Sequence, residues 1–355
     1  MELHLGMVNG QPSRARHVVL RNNGIKTRFY AIKYGRKTHS NVQMAVLAIK
    51  GLFDKDLPAS EMQLLATGTT SPEQILPSHA AMVHGELGTA NAEIFSASGS
   101  CCSGIQALKY AWMAIGAELV NTAVVSGSER FSALLHASRY QKEADTWKEL
   151  DKNPYIAFEK DFLRWMLSDG ACAALLQPTP SATGLSLKIE WLETTSYANE
   201  LGSCMYSGAI KNDDGSLTGW NEMAAAEWGA QSVFSLKQDT RLLGANIISK
   251  GGEFLRDILK KREITGEDVD YYLPHMSSEY FKNEMMDYIK KIGMPIPFER
   301  WFYNLTRVGN VGSASPYLML EELFHSGRLK KGDRILVMVP ESARFTYAYV
   351  YLTVV

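Results

Sequence analysis

Twice along the chain, a loop of small residues opens into an apolar helical pattern and then a strand that ends on a short acidic turn. The first instance runs from Ser103 to Glu129 and closes on Ala123-Val-Val-Ser-Gly-Ser-Glu129. The second runs from Ser315 to Ser342 and closes on Arg334-Ile-Leu-Val-Met-Val-Pro-Glu-Ser342. Repeated strand–helix units of this kind admit few folds, and all of them are α/β sheets covered by helices. A duplicated half-domain produces such a recurrence, and so does coincidence among α/β units.

The remaining pattern extends the same alternation. Helices are predicted over Asn41–Leu52, Ser78–Leu87, about 238–261, Glu279–Ile292 and Pro316–Phe324, and strands over Met62–Thr67, Glu93–Ala97, Thr122–Val125, Ala171–Leu176, Leu185–Leu192, Asp270–Leu273, Arg334–Val339 and Phe345–Val354. Residues 131–165 read as charged and aromatic helical excursions, and the polar segment 195–222 as a long surface loop. The 355 residues are 46% hydrophobic and 21% charged, enough for one large or two medium domains with a substantial core. A formal net charge of −1 argues against nucleic-acid binding through bulk charge. Four cysteines with no C-x-x-C pair give neither a zinc site nor a disulfide framework, which fits a reducing cytoplasm. No apolar run reaches the ~20 residues of a membrane helix.

Cys102 lies in Ser98-Gly-Ser-Cys-Cys-Ser-Gly-Ile105, where a strand gives way to a helix with apolar residues at Ile105, Leu108, Trp112, Ile115 and Leu119. A thiol on a first helical turn faces unpaired N–H groups and the positive end of the helix dipole. Both favour the thiolate, and the same N–H groups can hold an acyl oxyanion. Cysteines more commonly serve as small buried apolar residues, and Cys101 reads that way. His275 closes the strand-like Asp270-Tyr-Tyr-Leu-Pro274, at the carboxyl end where α/β proteins concentrate chemistry. Asn310 sits in Arg307-Val-Gly-Asn-Val-Gly-Ser-Ala-Ser315; asparagine among glycines is usually a turn former. Together, Cys, His and Asn from three strand-to-helix turns make an acyl-transfer site. The thiolate takes an acyl group, and imidazole and carboxamide donate to the oxygen of an enolate formed by loss of carbon dioxide or a proton.

With these residues in place, the chain resembles the thiolase-fold condensing enzymes, in particular β-ketoacyl-acyl-carrier-protein synthase III. The matching pieces run in order along the chain: Gly24-Ile-Lys-Thr-Arg28, Pro77-Ser78, Cys102-Ser-Gly104, Ser168-Asp-Gly-Ala171, Leu273-Pro-His275, Gly309-Asn-Val-Gly-Ser-Ala-Ser315 and Ser326-Gly-Arg-Leu-Lys-Lys-Gly332. The resemblance implies a five-layered αβαβα fold of two pseudo-symmetric halves, here 1–180 with the nucleophile and 181–355 with His275 and Asn310. It further implies a homodimer, catalysis by Cys102, His275 and Asn310, and no bound cofactor or metal. Substrates arrive on phosphopantetheine, as acyl carrier protein or coenzyme A thioesters. Elongating synthases use two histidines, and thiolases a second cysteine near the C-terminus, which this chain lacks after Cys204. The glycine-rich C-terminal signature of chalcone synthases is also missing.

Three departures stand out. Ser278 replaces an asparagine that contacts the pantetheine arm. Ser342-Ala343-Arg344 replaces three glycines, so that Ala343 takes over the second oxyanion-hole N–H beside that of Cys102. The strand preceding Gly24 is short, as in a truncated or misassigned start. These departures, with Pro12-Ser-Arg-Ala-Arg16, Phe158–Gly170, Ser196–Leu201 and Val339-Pro-Glu-Ser-Ala-Arg-Phe345, are similar to the ketosynthase/cyclases of bacterial dialkylresorcinol, flexirubin-type and stilbene pathways. Such enzymes join a β-ketoacyl thioester to a second acyl thioester and close a cyclohexanedione ring. A synthase III priming fatty-acid synthesis, an acyltransferase forming an ester or amide, and a non-catalytic partner subunit are the alternatives. Arg28, of the Gly-Ile-x-x-Arg motif, and Leu76 are implied in substrate binding. The cluster Arg14, Arg16, Arg21, Lys26 and Arg28 is either a phosphate site or a solvated face. Glu129 is either an additional base or a structural turn carboxylate.

Overall fold

The computed structural model describes residues 5, 7–8, 11–12, 16–55, 57–136 and 162–355. Arg14, most of the excursion expected over 131–165 and part of the Pro12–Arg16 and Phe158–Gly170 stretches lie outside the described residues. The principal strands are β1 (Leu64–Thr69), β2 (Glu93–Ser98), β3 (Ala123–Glu129), β4 (Gly170–Leu176), β5 (Leu187–Ser196), β6 (Tyr271–Pro274), β7 (Arg334–Glu341) and β8 (Thr346–Val354). The principal helices are α1 (Arg16–Asn23), α2 (Asn41–Lys50), α3 (His79–Leu87), α4 (Cys101–Gly116), α5 (Thr240–Arg262), α6 (Lys282–Lys291) and α7 (Ser315–His325).

Two four-stranded sheets form, in the orders β2-β1-β3-β4 and β6-β7-β8-β5. In each, a parallel pair (β1 with β3, β6 with β7) is followed by an antiparallel one (β3 with β4, β7 with β8). Helices α4 and α7, the two recognised as a recurrence in the sequence, both lie between the sheets and touch strands of each. Helices α2 and α3 cover the outer face of the first sheet, and α5 and α6 that of the second. The layers therefore read α, β, α, β, α. Strands β1 and β3 are buried at every position, because helices cover both faces; this is why their sequences run small and apolar without alternation.

Local chemistry sets the helix starts. Ser40 and Gln43 form a capping box on α2, Ser78 caps α3 and Asp239 caps α5. Helix α4 is buried on more than the one face the periodicity implied: Ala107, Ala111 and Ala114 are buried beside Ile105 and Leu108, while Leu119 lies past the helix end and is exposed. The expected loop 195–222 instead contains an antiparallel pair, Ala209–Lys211 with Leu217–Gly219, turning through Asp214-Gly215. Met205–Tyr206 also pairs with Lys237–Gln238. The Asp-Gly hairpin signal was present, but strands of two and three residues are too short to show alternation.

The head of α4 and the Asn310 loop meet at glycines. A Cβ at Gly104 or at Gly127 would overlap the Ser313 carbonyl, and the Tyr317 hydroxyl donates to the Gly104 carbonyl at 2.6 Å. Backbone faces backbone there, so nothing flexible can yield. Gly104→Ala is expected to lower stability by about 3 kcal/mol, the upper range for overpacking. Thermal or denaturant unfolding beside the wild type checks this, and an unchanged midpoint contradicts the close packing.

Candidate active site

Two strand-to-helix turns and, for Asn310, a helix-to-helix loop where the sequence suggested a third such turn, converge on one cavity of about 40 Å³, room for a few water molecules. Its polar lining comes from Ser100 and Cys101 at the head of α4, His275 and Ser277 after β6, Asn310 before α7, and Ser342 after β7. Phe131, Leu163, Met166, Leu243 and Ile247 supply apolar walls. Among the described residues, no group of three or more His, Cys, Asp or Glu is placed to hold a metal ion, and no helix is long and apolar enough to cross a membrane.

Asn310 is held through its backbone. Its N–H donates to the Met166 carbonyl at 2.9 Å, and its carbonyl accepts from the Ser168 N–H at 2.8 Å. Its Oδ1 accepts from the Gly312 N–H at 2.8 Å, which orients the amide and leaves the NH2 as the donor end. Glu129 fastens the same loop. Fully buried, it accepts from Ser313 N–H and Oγ and from Thr70 N–H and Oγ1, with Ser71 Oγ on its other oxygen. Burial raises its pKa against these bonds. Of the two roles open in the sequence, the geometry is that of the structural turn carboxylate.

His275 donates its backbone N–H to the Met338 carbonyl at 2.8 Å and is 4% exposed. Burial lowers its pKa to about 4, so the ring is neutral at pH 7 and carries one N–H to donate. The unfolded chain therefore binds more protons than the native one between about pH 6.5 and 4. Stability from this group is complete above the unfolded value and is lost as pH falls toward 4, by about 3 kcal/mol in all. Denaturant unfolding of wild type and His275→Gln from pH 7.5 to 4.5 checks this: the variant's slope against pH should be shallower in that window.

Cys102 is placed otherwise than its motif suggested. It is fully buried, and Cys101 rather than Cys102 lines the cavity. Cys102 Sγ donates toward the Val339 carbonyl at 3.2 Å and lies 3.6 Å from the Thr346 carbonyl. The expected drop in thiol pKa is reversed. Burial pushes the Cys102 thiol well up, and the Glu341 carboxylate pushes it further. The same two causes raise Cys101 to about 12. The oxyanion hole also differs, because the Cys102 N–H already donates to Glu341 Oε2 at 3.0 Å. Ala343 does not line the cavity; its carbonyl accepts from the Cys204 and Met205 N–H groups.

The residues implied in substrate binding divide. Arg28 is half-buried, with its guanidinium 5.5 Å from the centre of the Trp165 ring; Arg16 approaches the same ring at 5.7 Å. Arg28 also packs against Gly309, next to Asn310. Arg21 and Lys26 are exposed. Ser278 does not reach the cavity: its Oγ donates to the Asn22 carbonyl and accepts from the Tyr280 N–H, and Ser277 lines the wall instead. Leu76 is 82% exposed on the surface of this chain and lines no part of the cavity.

Sequence reasoning missed Ser277 and Glu341. A lone carboxylate ending the apolar run Arg334–Glu341 was the available signal for the second.

The C-terminal family model described as 3-oxoacyl-[acyl-carrier-protein (ACP)] synthase III matches residues 259–348. A β-ketoacyl-[acyl-carrier-protein] synthase III of Clostridium perfringens is 27% identical over 293 residues, covering 81% of this chain and 77% of that one. Among solved structures, the tetronic acid condensing enzyme AbyA1 superposes with a TM-score of 0.71 at 18% identity, over 93% of this chain and 88% of that one. OleA of Xanthomonas campestris, with bound lauric acid and lauroyl-CoA, also gives 0.71, at 20% identity over 95% and 88%. The five-layered architecture is thus the thiolase fold.

Proposed function

We propose that this chain, an acyl-transferring condensing enzyme of the synthase III type, is a ketosynthase/cyclase. The observation that carries the reading is the convergence of the α4 head, His275 and Asn310 on one cavity. In this reading, Cys102 sulfur attacks the carbonyl of an acyl thioester, a new C–S bond forms and the carrier thiol leaves. The α-carbon of a β-ketoacyl partner then gives up its proton to water, and the neutral His275 N–H and the Asn310 NH2 donate to the thioester oxygen of the resulting enolate. The enolate carbon attacks the acyl-Cys102 carbonyl; a C–C bond forms, the C–S bond breaks and the thiolate leaves. A second carbanion, on the far side of the ketone, then adds to the double bond of an unsaturated acyl group. The π bond is consumed, the proton lost returns to the neighbouring carbon, and a cyclohexanedione closes with no leaving group.

The substrates are acyl carrier protein or coenzyme A thioesters. Arg28 and Arg16, both close to the buried Trp165 ring, provide a cationic site for the phosphate of the pantetheine arm. No resident metal or other cofactor is required. A homodimer accords with the edge of β2, unpaired among the described residues, where Ile94 is exposed, and with the exposed apolar side chains of Ile75 and Leu76.

The likeness to synthase III enzymes favours a second reading, the priming of fatty-acid synthesis. Product analysis after mixing with paired β-ketoacyl and unsaturated acyl thioesters separates the two. A cyclohexanedione supports the cyclase, a linear β-ketoacyl thioester the priming synthase, and an ester or amide overturns both.

A further inference from the structure

Helix α4 has no cap within its own turn, since the side chain of Ser100 at its N-cap position accepts from no helix N–H. The cap comes from the far end of the chain. Glu341 Oε2 accepts from the Ser100 N–H and the Cys102 N–H, each at 3.0 Å. The carboxylate is 7% exposed and, among the described residues, forms no ion pair. It occupies the N–H groups that an acyl oxyanion at Cys102 would need. The thiol lies alongside: Sγ donates toward the carbonyl of Val339, two residues before Glu341, and lies 3.6 Å from that of Thr346, which pairs with Glu341 across the β7–β8 ladder.

We propose that Glu341 is the general base that takes the Cys102 Sγ proton, and that by doing so it vacates the oxyanion site. The inference rests on Cys102 being the acyl acceptor. A carboxylate is held strongly by two N–H groups, and the neutral acid far less, so one proton transfer both activates the sulfur and frees the donors. The Sγ–H bond breaks and the proton passes to Glu341 Oε2. Sulfur bonds to the thioester carbon, whose oxygen takes over the Cys102 N–H. The C–S bond to the carrier then breaks, and the departing thiolate takes the proton from Glu341, which returns to its place as a carboxylate. The exchange is balanced, with no net proton gained or lost.

The titratable groups that feel the carboxylate are Cys101 and Cys102 from α4, and His275 lines the same cavity as Cys101. His275 is the rival base. Burial lowers its pKa to about 4, whereas burial raises that of Glu341, and it is Glu341 whose carboxylate is bonded to the Cys102 backbone.

The test is single-turnover acylation by an acyl-coenzyme A, read by intact-protein mass spectrometry from pH 5.5 to 9, in wild type, Glu341→Gln and Cys102→Ala. A base role predicts that Glu341→Gln acylates roughly 100-fold more slowly or worse. A role limited to charge predicts the reverse. Removing a negative charge beside the thiol raises the thiolate fraction and speeds both acylation and alkylation by iodoacetamide, so a rate equal to or above wild type overturns the proposal. The wild-type profile decides independently if the variant does not fold. A base role gives a rate that levels off above the carboxylate titration; a tenfold rise per pH unit through pH 8 overturns it. Acylation that persists in Cys102→Ala overturns the acceptor assignment itself, whatever Glu341→Gln does.

Discussion

Cys102→Ala protein is expected to gain no acyl mass from any thioester and to lose condensation by roughly 10³-fold or more, as when a covalent nucleophile is removed. Cys101→Ala is expected to keep the adduct. The comparison is informative because the structure puts Cys101, not Cys102, on the cavity wall. Position along α4 argues the other way. The Cys102 N–H is one of the two donors gathered at the helix head, and Gly104, two residues on, is the contact that locks α4 to the Asn310 loop. An adduct lost only in Cys101→Ala would move the nucleophile by one residue and leave the rest of the cavity in its role.

His275→Ala is expected to separate the two half-reactions. The acyl adduct should still form, while condensation falls by about 10²–10³-fold, the usual loss when one preorganised donor to a developing oxyanion is removed. Asn310→Ala should act on the same step, and the double variant should lose less than the product of the two, since both serve one oxygen. Because burial holds the His275 pKa near 4, the ring is neutral throughout the working range. The condensation step, measured from preformed acyl-enzyme, should then show no imidazole titration between pH 5.5 and 8. A rate that drops as pH rises through 6.5 would mean that imidazolium is the donor, and would contradict the buried, neutral ring.

Glu341 shows why reading a motif does not yield its electrostatics. Ser98–Ile105 correctly located a strand-to-helix turn bearing a thiol, and the argument from an open helix N-terminus predicted a lowered thiol pKa. That argument assumed unpaired N–H groups. The chain fills them with its own carboxylate from 239 residues away, and burial does the rest. Ser278 is likewise tied by a distant partner. Its hydroxyl donates to the Asn22 carbonyl, 256 residues away, besides accepting from the Tyr280 N–H, and Ser277 lines the cavity.

What the sequence determined by itself was the order and kind of nearly every strand and helix of the two sheets, the recurrence that became α4 and α7, and the three turns bearing cysteine, histidine and asparagine. These are local properties. Periodicity, caps and small-residue turns act within a few residues, so they are written where they are used. The tertiary structure alone decided which thiol meets the cavity, which serine faces it, what occupies the helix head and which groups are charged. Each depends on desolvation and on bonds between segments more than a hundred residues apart, and neither has any signature in local spacing.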